Sequence, residues 1–257
     1  MEWSAKGIVL SVRKHSERDV ILEVMTDTRG RHLGLVRGGR SKRLQPFLQP
    51  GNELDLTWRA RLIEHLGVFS LEPGKLNAAD YLSNAFALHA LQHICGLLRL
   101  LPERQEHPRL FSALNVLLEH LNEASIAAPL IIKFELETLR ELGFGLDLES
   151  CAATGITHDL GYVSPKSGRA VSRDAGRPYH DKLFTLPPFL ADGERQPGSE
   201  ITFDDLKNGF LITSFFLNAR VLEPRELEGT LSRENLLASL EKGYRAAFPW
   251  NFASTES

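Results

Sequence analysis

Residues 8–12, Ile-Val-Leu-Ser-Val, and residues 20–25, Val-Ile-Leu-Glu-Val-Met, decide how the amino-terminal third of the chain folds. In the first run Ile8, Leu10 and Val12 alternate with Ser11 and Arg13; in the second Val20, Leu22 and Val24 alternate with Ile21, Glu23 and Met25. A period of two is that of a pleated strand, whose successive side chains point to opposite faces, so each run buries one face of a sheet. Outward from these, His32 to Val36, Leu54 to Trp58 and Gly67 to Leu71 bring the number to about five short strands separated by turn residues. That number suits a small closed barrel of the OB type. The longest break runs from Gly38, Gly39 and Arg40 to Pro46 and Pro50, and is read as a projecting loop.

From Asn77 the period changes to helical spacing. Leu82, Phe86, Leu88, Leu91 and Ile94 form one set, Leu110, Leu114, Leu117, Leu118 and Leu121 a second, and Ile132, Leu136, Leu139 and Leu142 a third that ends at Gly143. Two more helices are predicted, from Phe203 to Val221 behind the capping pair Thr202 and Asp205, and from Arg233 to Phe248 behind Ser232. Residues 147–200 are rich in Gly, Pro, Ser and charge without a sustained period, which predicts an irregular insertion. The expected fold class is α+β: an OB-type barrel over residues 1–76, then an α-helical bundle domain over 77–257 that carries the insertion at about 147–200.

Charge is unevenly distributed. The chain of 257 residues has a formal net charge of -3. Residues 1–76 hold 13 Lys and Arg against 9 Asp and Glu, and residues 77–257 hold 17 against 24. Arg29, Arg31, Arg37, Arg40, Lys42 and Arg43 fall within fifteen residues that contain no acid. A cationic cluster against an acidic background is an electrostatic footprint for a polyanion, and the glycines interleaved with it let backbone approach a phosphate. The alternative is a solvated, charged hairpin. No apolar run approaches the ~18 residues of a membrane span, the amino terminus lacks a signal-peptide layout, and Cys95 and Cys151 do not make a disulfide framework. A cytoplasmic protein is expected.

Three possible catalytic or metal arrangements have plainer readings. Gly34-Leu-Val-Arg-Gly-Gly39-Arg40-Ser41 has P-loop spacing but puts Arg40 where Lys is required, and Pro46 and Pro50 follow where a helix must begin. His89 and His93 share a helix face near Cys95, but no acid lies between them and their neighbours are apolar, so they read as a helix flank. There is no G-x-S-x-G elbow, and neither cysteine has a signature linking it to a base. No enzyme activity and no cofactor are expected. The amphipathic stretch Leu130 to Leu142 reads mainly as a bundle helix. On it, Lys133 and Arg140 lie seven apart on nearly one side and flank an apolar strip near Leu136, a place for an acidic, hydrophobic peptide end.

The ordered set Gly7-Ile-Val-Leu-Ser-Val-Arg-Lys-His-Ser-Glu17, Val24-Met-Thr-Asp-Thr-Arg-Gly30, Val36-Arg-Gly-Gly-Arg-Ser-Lys-Arg43 and Leu48-Gln-Pro50 resembles the amino-terminal domain of the RecO family of bacterial recombination mediators. Lys133-Phe-Glu-Leu136, Leu142-Gly-Phe-Gly-Leu146 and Arg220-Val-Leu-Glu-Pro-Arg-Glu-Leu227 extend the likeness, so that it covers essentially residues 1–245. The resemblance implies an OB barrel, a helical domain and, in many members, a zinc-binding insertion. Where the insertion would place two C-x-x-C pairs, this chain has Cys151 with Thr154 and Ser172 with Ala175. One thiol of four cannot form a structural zinc shell, so a degenerate zinc-finger-like insertion without metal is expected, anchored by Phe184, Leu186 and Phe189.

By the same resemblance the chain would bind ssDNA and dsDNA, anneal complementary strands, contact the acidic C-terminal tail of single-stranded-DNA-binding protein, and with RecR help RecA load onto covered DNA, in the cytoplasm and at the nucleoid. The expected phosphate contacts are Arg37, Arg40, Lys42 and Arg43, with Arg29, Arg31 and Lys14 as a second tier; Lys133, Leu136 and Arg140 are the expected tail site. The rival reading is a helical adaptor whose barrel docks it to a protein or to structured RNA.

Overall fold

A computed structural model describes residues 1–191, 200–227, 229, 231 and 233–247. The first five strands are β1 (Glu2–Lys14), β2 (Val20–Thr26), β3 (Gly30–Val36), β4 (Glu53–Arg59) and β5 (Val68–Pro73). They close in the order β1-β2-β3-β5-β4, the barrel that the strand count predicts. All pairings are antiparallel except β3 with β5, which meet only at Leu35 and Val68. Val9, Val20, Leu22, Val24, Val36, Leu54, Leu56, Trp58 and Phe69 fill the interior, with Val12 and Trp3 packed at its margins.

β1 departs from the simple alternation. Its pairing with β2 slips between Val9 and Ser11, so Val9 and Val12 both serve the barrel interior while Ile8 and Leu10 are buried outside it. A bulge adds one residue and inverts the parity of everything beyond it, which a period-two reading cannot see.

The helices are α1 (Ala78–Tyr81), α2 (Ala85–Leu98), α3 (Pro108–Glu119), α4 (Ala124–Glu141), α5 (Arg173–Gly176), α6 (Phe203–Leu217) and α7 (Arg233–Ala247). Leu82, expected to open the first helical stripe, is 73% exposed between α1 and α2, where Asn84 caps α2 by accepting from the Ala87 N–H. Thr202 and Asp205 form a reciprocal capping box at the start of α6, and the helix passes at Asn218 into a π-turn that reaches Leu222. Ser232 and Phe248, expected to bound the last helix, lie outside the described residues.

The chain divides into two compact units, residues 1–124 with 231–257, and residues 125–230. In the first, α2 and α7 pack together beside the barrel. In the second, the segment expected to be irregular contains a three-stranded sheet of β6 (Leu160–Val163), β7 (Ala170–Ser172) and β8 (Phe184–Thr185) in the order β7-β6-β8. These strands are two to four residues long, too short for periodicity to register. Of the three residues expected to anchor the insertion by apolar packing, Phe189 lies under Gly209 and the Phe184 ring meets Phe215 at 5.1 Å, both on α6, and Leu186 is buried.

Candidate nucleic-acid interface

OB barrels commonly take oligonucleotides on the face of strands 2 and 3. In this chain that face is covered. Glu23 and Met25 point out of the barrel yet are 2% and 0% exposed. Arg99, just past α2, donates through Nε to Glu23 Oε2 at 2.9 Å, while Arg31 contacts Glu23 Oε1 at 2.5 Å and donates through its own Nε to the Leu101 carbonyl at 2.8 Å. The Arg104 N–H then donates to the Arg31 carbonyl at 2.8 Å, and Gly30 lies against Gln105 so closely that any side chain there would collide with the Gln105 carbonyl. Arg31, expected among the phosphate contacts, is therefore engaged within the fold: it shares the buried Glu23 carboxylate with Arg99 and lies 3.8 Å from Glu103. Arg29 is exposed but sits in the β2–β3 turn, a full strand of seven residues, about 20 Å, from Arg37. It does not join the loop cluster.

The basic loop runs from Arg37 through a series of turns to Gly51. Its base is fixed. Gly38 adopts φ 64°, and its N–H donates to Asp19 Oδ1 at 2.8 Å; a Cβ on Gly39 would stand 2.5 Å from Val20 Cγ2. Leu48 enters the barrel core, and Asn52 donates to the carbonyls of Pro46 and Phe47. Arg40 is also part of the scaffold. Its guanidinium donates to the Ser16 and Glu17 carbonyls at 3.2 and 2.9 Å and clamps the basic loop to the β1–β2 loop. Because the folded chain brings Glu17 and Asp19 beside the loop, the cluster is less isolated from acid than the linear sequence implies.

Arg37, Lys42 and Arg43 remain exposed and, among the described residues, form no ion pair. Lys14, at the end of β1, pairs in register with Val20, which pairs with Val36, so it lies at the loop's end of the barrel. Arg18, on the same side, was not anticipated. Nor was Arg59, which closes a groove of about 450 Å³ with Arg37 and Arg43 over Val36, Leu44, Val68, Phe69, Ser70 and Leu71. Arg59 donates to Glu2 Oε1 at 2.8 Å; this hydrogen bond holds the Glu2 carboxyl below the usual carboxylate range and raises Arg59 in turn. The signal for Arg59 exists only after barrel closure, since 16 positions separate it from Arg43 in the chain.

In the second unit, Lys133, Leu136 and Arg140 line one cavity of about 260 Å³ whose apolar wall is Leu146, Leu148, Phe189 and Leu190. Two carboxylates, Glu137 and Glu149, share it. Arg140 is hydrogen-bonded to Glu137, which raises its pKa, whereas Lys133 makes no ion pair among the described residues.

At the expected degenerate zinc positions, Cys151 and Ser172 meet: the Ser172 N–H donates to Cys151 Sγ at 3.2 Å, and Ser172 Oγ lies 3.5 Å from it. Burial pushes the Cys151 thiol up, but hydrogen bonds from Ser172 and Thr154 outweigh it and bring the group down to about 6. No group of three or more His, Cys, Asp or Glu that could hold a metal occurs among the described residues, and no described helix is long and apolar enough to cross a membrane.

A five-stranded OB-type barrel with an arginine-lined loop and groove, followed by a helical region, defines a candidate polyanion-binding protein. Its relatives make the class specific. Residues 1–74 match the family model "Recombination protein O N terminal" and residues 82–226 match "Recombination protein O C terminal". The chain is 54% identical over 242 residues to the "DNA repair protein RecO" of a Chelativorans species, covering 93% of this chain and 96% of that one. It is 53% identical to the protein of the same name from Mesorhizobium japonicum, covering 94% of each, and 50% identical to that of Methylorubrum extorquens, covering 93% of this chain and 98% of the relative. The chain belongs to the RecO family.

Proposed function

We propose that this RecO-family chain is a non-enzymatic DNA repair and recombination mediator, working in the cytoplasm at the nucleoid, that binds DNA through the loop-and-groove surface of its barrel. The observation that carries the reading is the convergence of Arg37, Lys42 and Arg43 as exposed cations, with no ion pair among the described residues, on a rigidly held loop. Such cations displace condensed counterions from phosphates whatever the base sequence. Lys14 extends the surface, and Arg40 supports it by holding the loop in place. Phe69, the one aromatic residue among the described residues that line the groove, is buried, so backbone contacts outweigh base readout, as annealing of unrelated strands requires.

The Lys133, Leu136 and Arg140 cavity supports a second contact, to the acidic and hydrophobic C-terminal tail of single-stranded-DNA-binding protein. Lys133 receives a carboxylate and the Leu146, Leu148 and Phe189 wall receives the apolar end. Arg140 exchanges Glu137 for the peptide, so its contribution is smaller than that of Lys133. Together with RecR, the chain would then help RecA load onto covered DNA.

Annealing of complementary oligonucleotides tests the reading. Replacing Arg37, Lys42 and Arg43 by Ala should slow annealing at least about ten-fold in a chain that still folds. Calorimetry with the tail peptide should show Lys133→Glu weakening it and leaving DNA binding unchanged. A helical adaptor would show the reverse of the first result, with no dependence of partner binding or annealing on the loop.

A further inference from the structure

The groove between β3 and β5 has a composition that phosphate binding alone does not require. The two strands pair only at Leu35 and Val68 and then diverge, and the groove opens beyond that point. Three guanidinium groups from two segments, Arg37 and Arg43 on the basic loop and Arg59 at the end of β4, line it. Its walls are the half-buried Leu44, Val68 and Leu71, with the exposed hydroxyl of Ser70 among them. No carboxylate is among the described residues that line it. The adjoining groove on the outer face of β1, β4 and β5, which shares Ser70 and Leu71 with it, differs in this respect, since Asp55 and Glu72 line it beside Lys6.

An apolar slot with a guanidinium rim matches one nucleotide whose base is unstacked: the base covers aliphatic surface and the flanking phosphates meet the arginines. A duplex cannot make this contact, because its bases are stacked and paired inside the helix. We propose that the β3–β5 groove is a subsite for an unpaired nucleotide of single-stranded DNA, with Arg59 as a phosphate contact and the Glu2 carboxylate as its intramolecular competitor. The proposal rests on the DNA-binding reading above and adds a preference for single strands to it.

Glu2 and Arg59 face each other in register across β1 and β4, and their side chains are 53% and 66% exposed. An exposed pair of this kind exchanges easily with another anion. In the free chain Glu2 occupies the position that a phosphate takes in the complex, so it weakens binding to the groove without blocking it.

The test uses the full chain, a labelled oligothymidylate, the same oligomer with abasic residues, and a duplex. Arg59→Ala, and Ser70→Glu, which places a carboxylate in the groove from an exposed strand position, should each weaken the single strand about three- to ten-fold and the duplex by less than about two-fold. Glu2→Gln should tighten the single strand about two- to three-fold at low salt. The abasic oligomer should bind the parent more weakly than oligothymidylate, and the Ser70→Glu variant should bind the two alike. If both groove variants keep the parent's affinity while the Arg37, Lys42 and Arg43 variant loses DNA, the subsite is wrong and the loop assignment stands. If that loop variant also binds as the parent does, the DNA-binding reading itself fails.

Discussion

Glu23 and Arg99 are joined by a 2.9 Å hydrogen bond between the second strand of the barrel and the residue that caps α2. With Arg31 on the other carboxylate oxygen, the contact closes the face that OB barrels commonly offer to oligonucleotides and leaves the opposite loop and groove as the basic surface.

Arg31→Ala should therefore act on stability and not on DNA. It leaves the nearly buried Glu23 with Arg99 and the Ser11 hydroxyl, and losing one charged hydrogen bond of this kind costs about 2 kcal/mol. Chemical denaturation should show a lower midpoint, whereas the salt slope of DNA binding measured below the transition should equal the parent's. A flattened slope at unchanged stability would return Arg31 to the phosphate contacts.

His32 makes barrel stability depend on pH. Its ring lies inside the barrel, 4.9 Å from Trp3 and 5.1 Å from Trp58, with neither ring nitrogen hydrogen-bonded among the described residues. Burial, with Arg104 and Arg29 nearby, lowers its pKa to about 4 from the ordinary 6.5. The unfolded chain thus takes up this proton first as pH falls. The contribution of His32 is full above pH 6.5, declines below it and is lost by about pH 4, for a change of up to ~3 kcal/mol. Denaturation midpoints of the parent should drop across this window more steeply than those of His32→Leu. Parallel curves would show that His32 titrates normally in the folded state.

The two thiols should ionise far apart. Burial pushes Cys95 up to about 12; burial raises Cys151 too, but there the bonds from Ser172 and Thr154 outweigh it and bring the group down to about 6. Ultraviolet thiolate absorbance should therefore show one thiolate per chain at neutral pH, absent in Cys151→Ser and moved to higher pH in Ser172→Ala. Since the folded value lies below the unfolded one, ionisation of Cys151 favours the fold fully above about pH 9, and the benefit is lost as pH falls through about 6. No neutral-pH thiolate in the parent would remove the hydrogen-bonded assignment.

The barrel was legible in the sequence because its strands are long enough to alternate: Val20, Leu22 and Val24 face the interior as their spacing implies. The bulge in β1 was not, since one extra residue leaves no compositional mark. Lys133, Leu136 and Arg140 fell into one cavity because helical spacing is local, although its Phe189 wall arrives from a distant part of the chain and its competing Glu149 was missed. The basic loop was visible as a charge run, but charge alone does not show which cations are spent on the fold. Arg31 and Arg40 have internal partners supplied by Glu23 and by the carbonyls of Ser16 and Glu17, and Arg59 joins the surface only through barrel closure.

The central claim is that the free cations of the loop neutralise DNA phosphates. Fluorescence anisotropy with a labelled single strand across a salt series tests it most directly, comparing the parent with a chain in which Arg37, Lys42 and Arg43 are Ala and Arg40 is kept to hold the loop. Each single-strand phosphate contact contributes about -0.7 to the log-log slope, so the triple variant should flatten it by up to roughly 2 units and lose affinity alike for unrelated sequences. A folded triple variant with the parent's affinity and salt slope would contradict the account and make the loop a solvated surface feature.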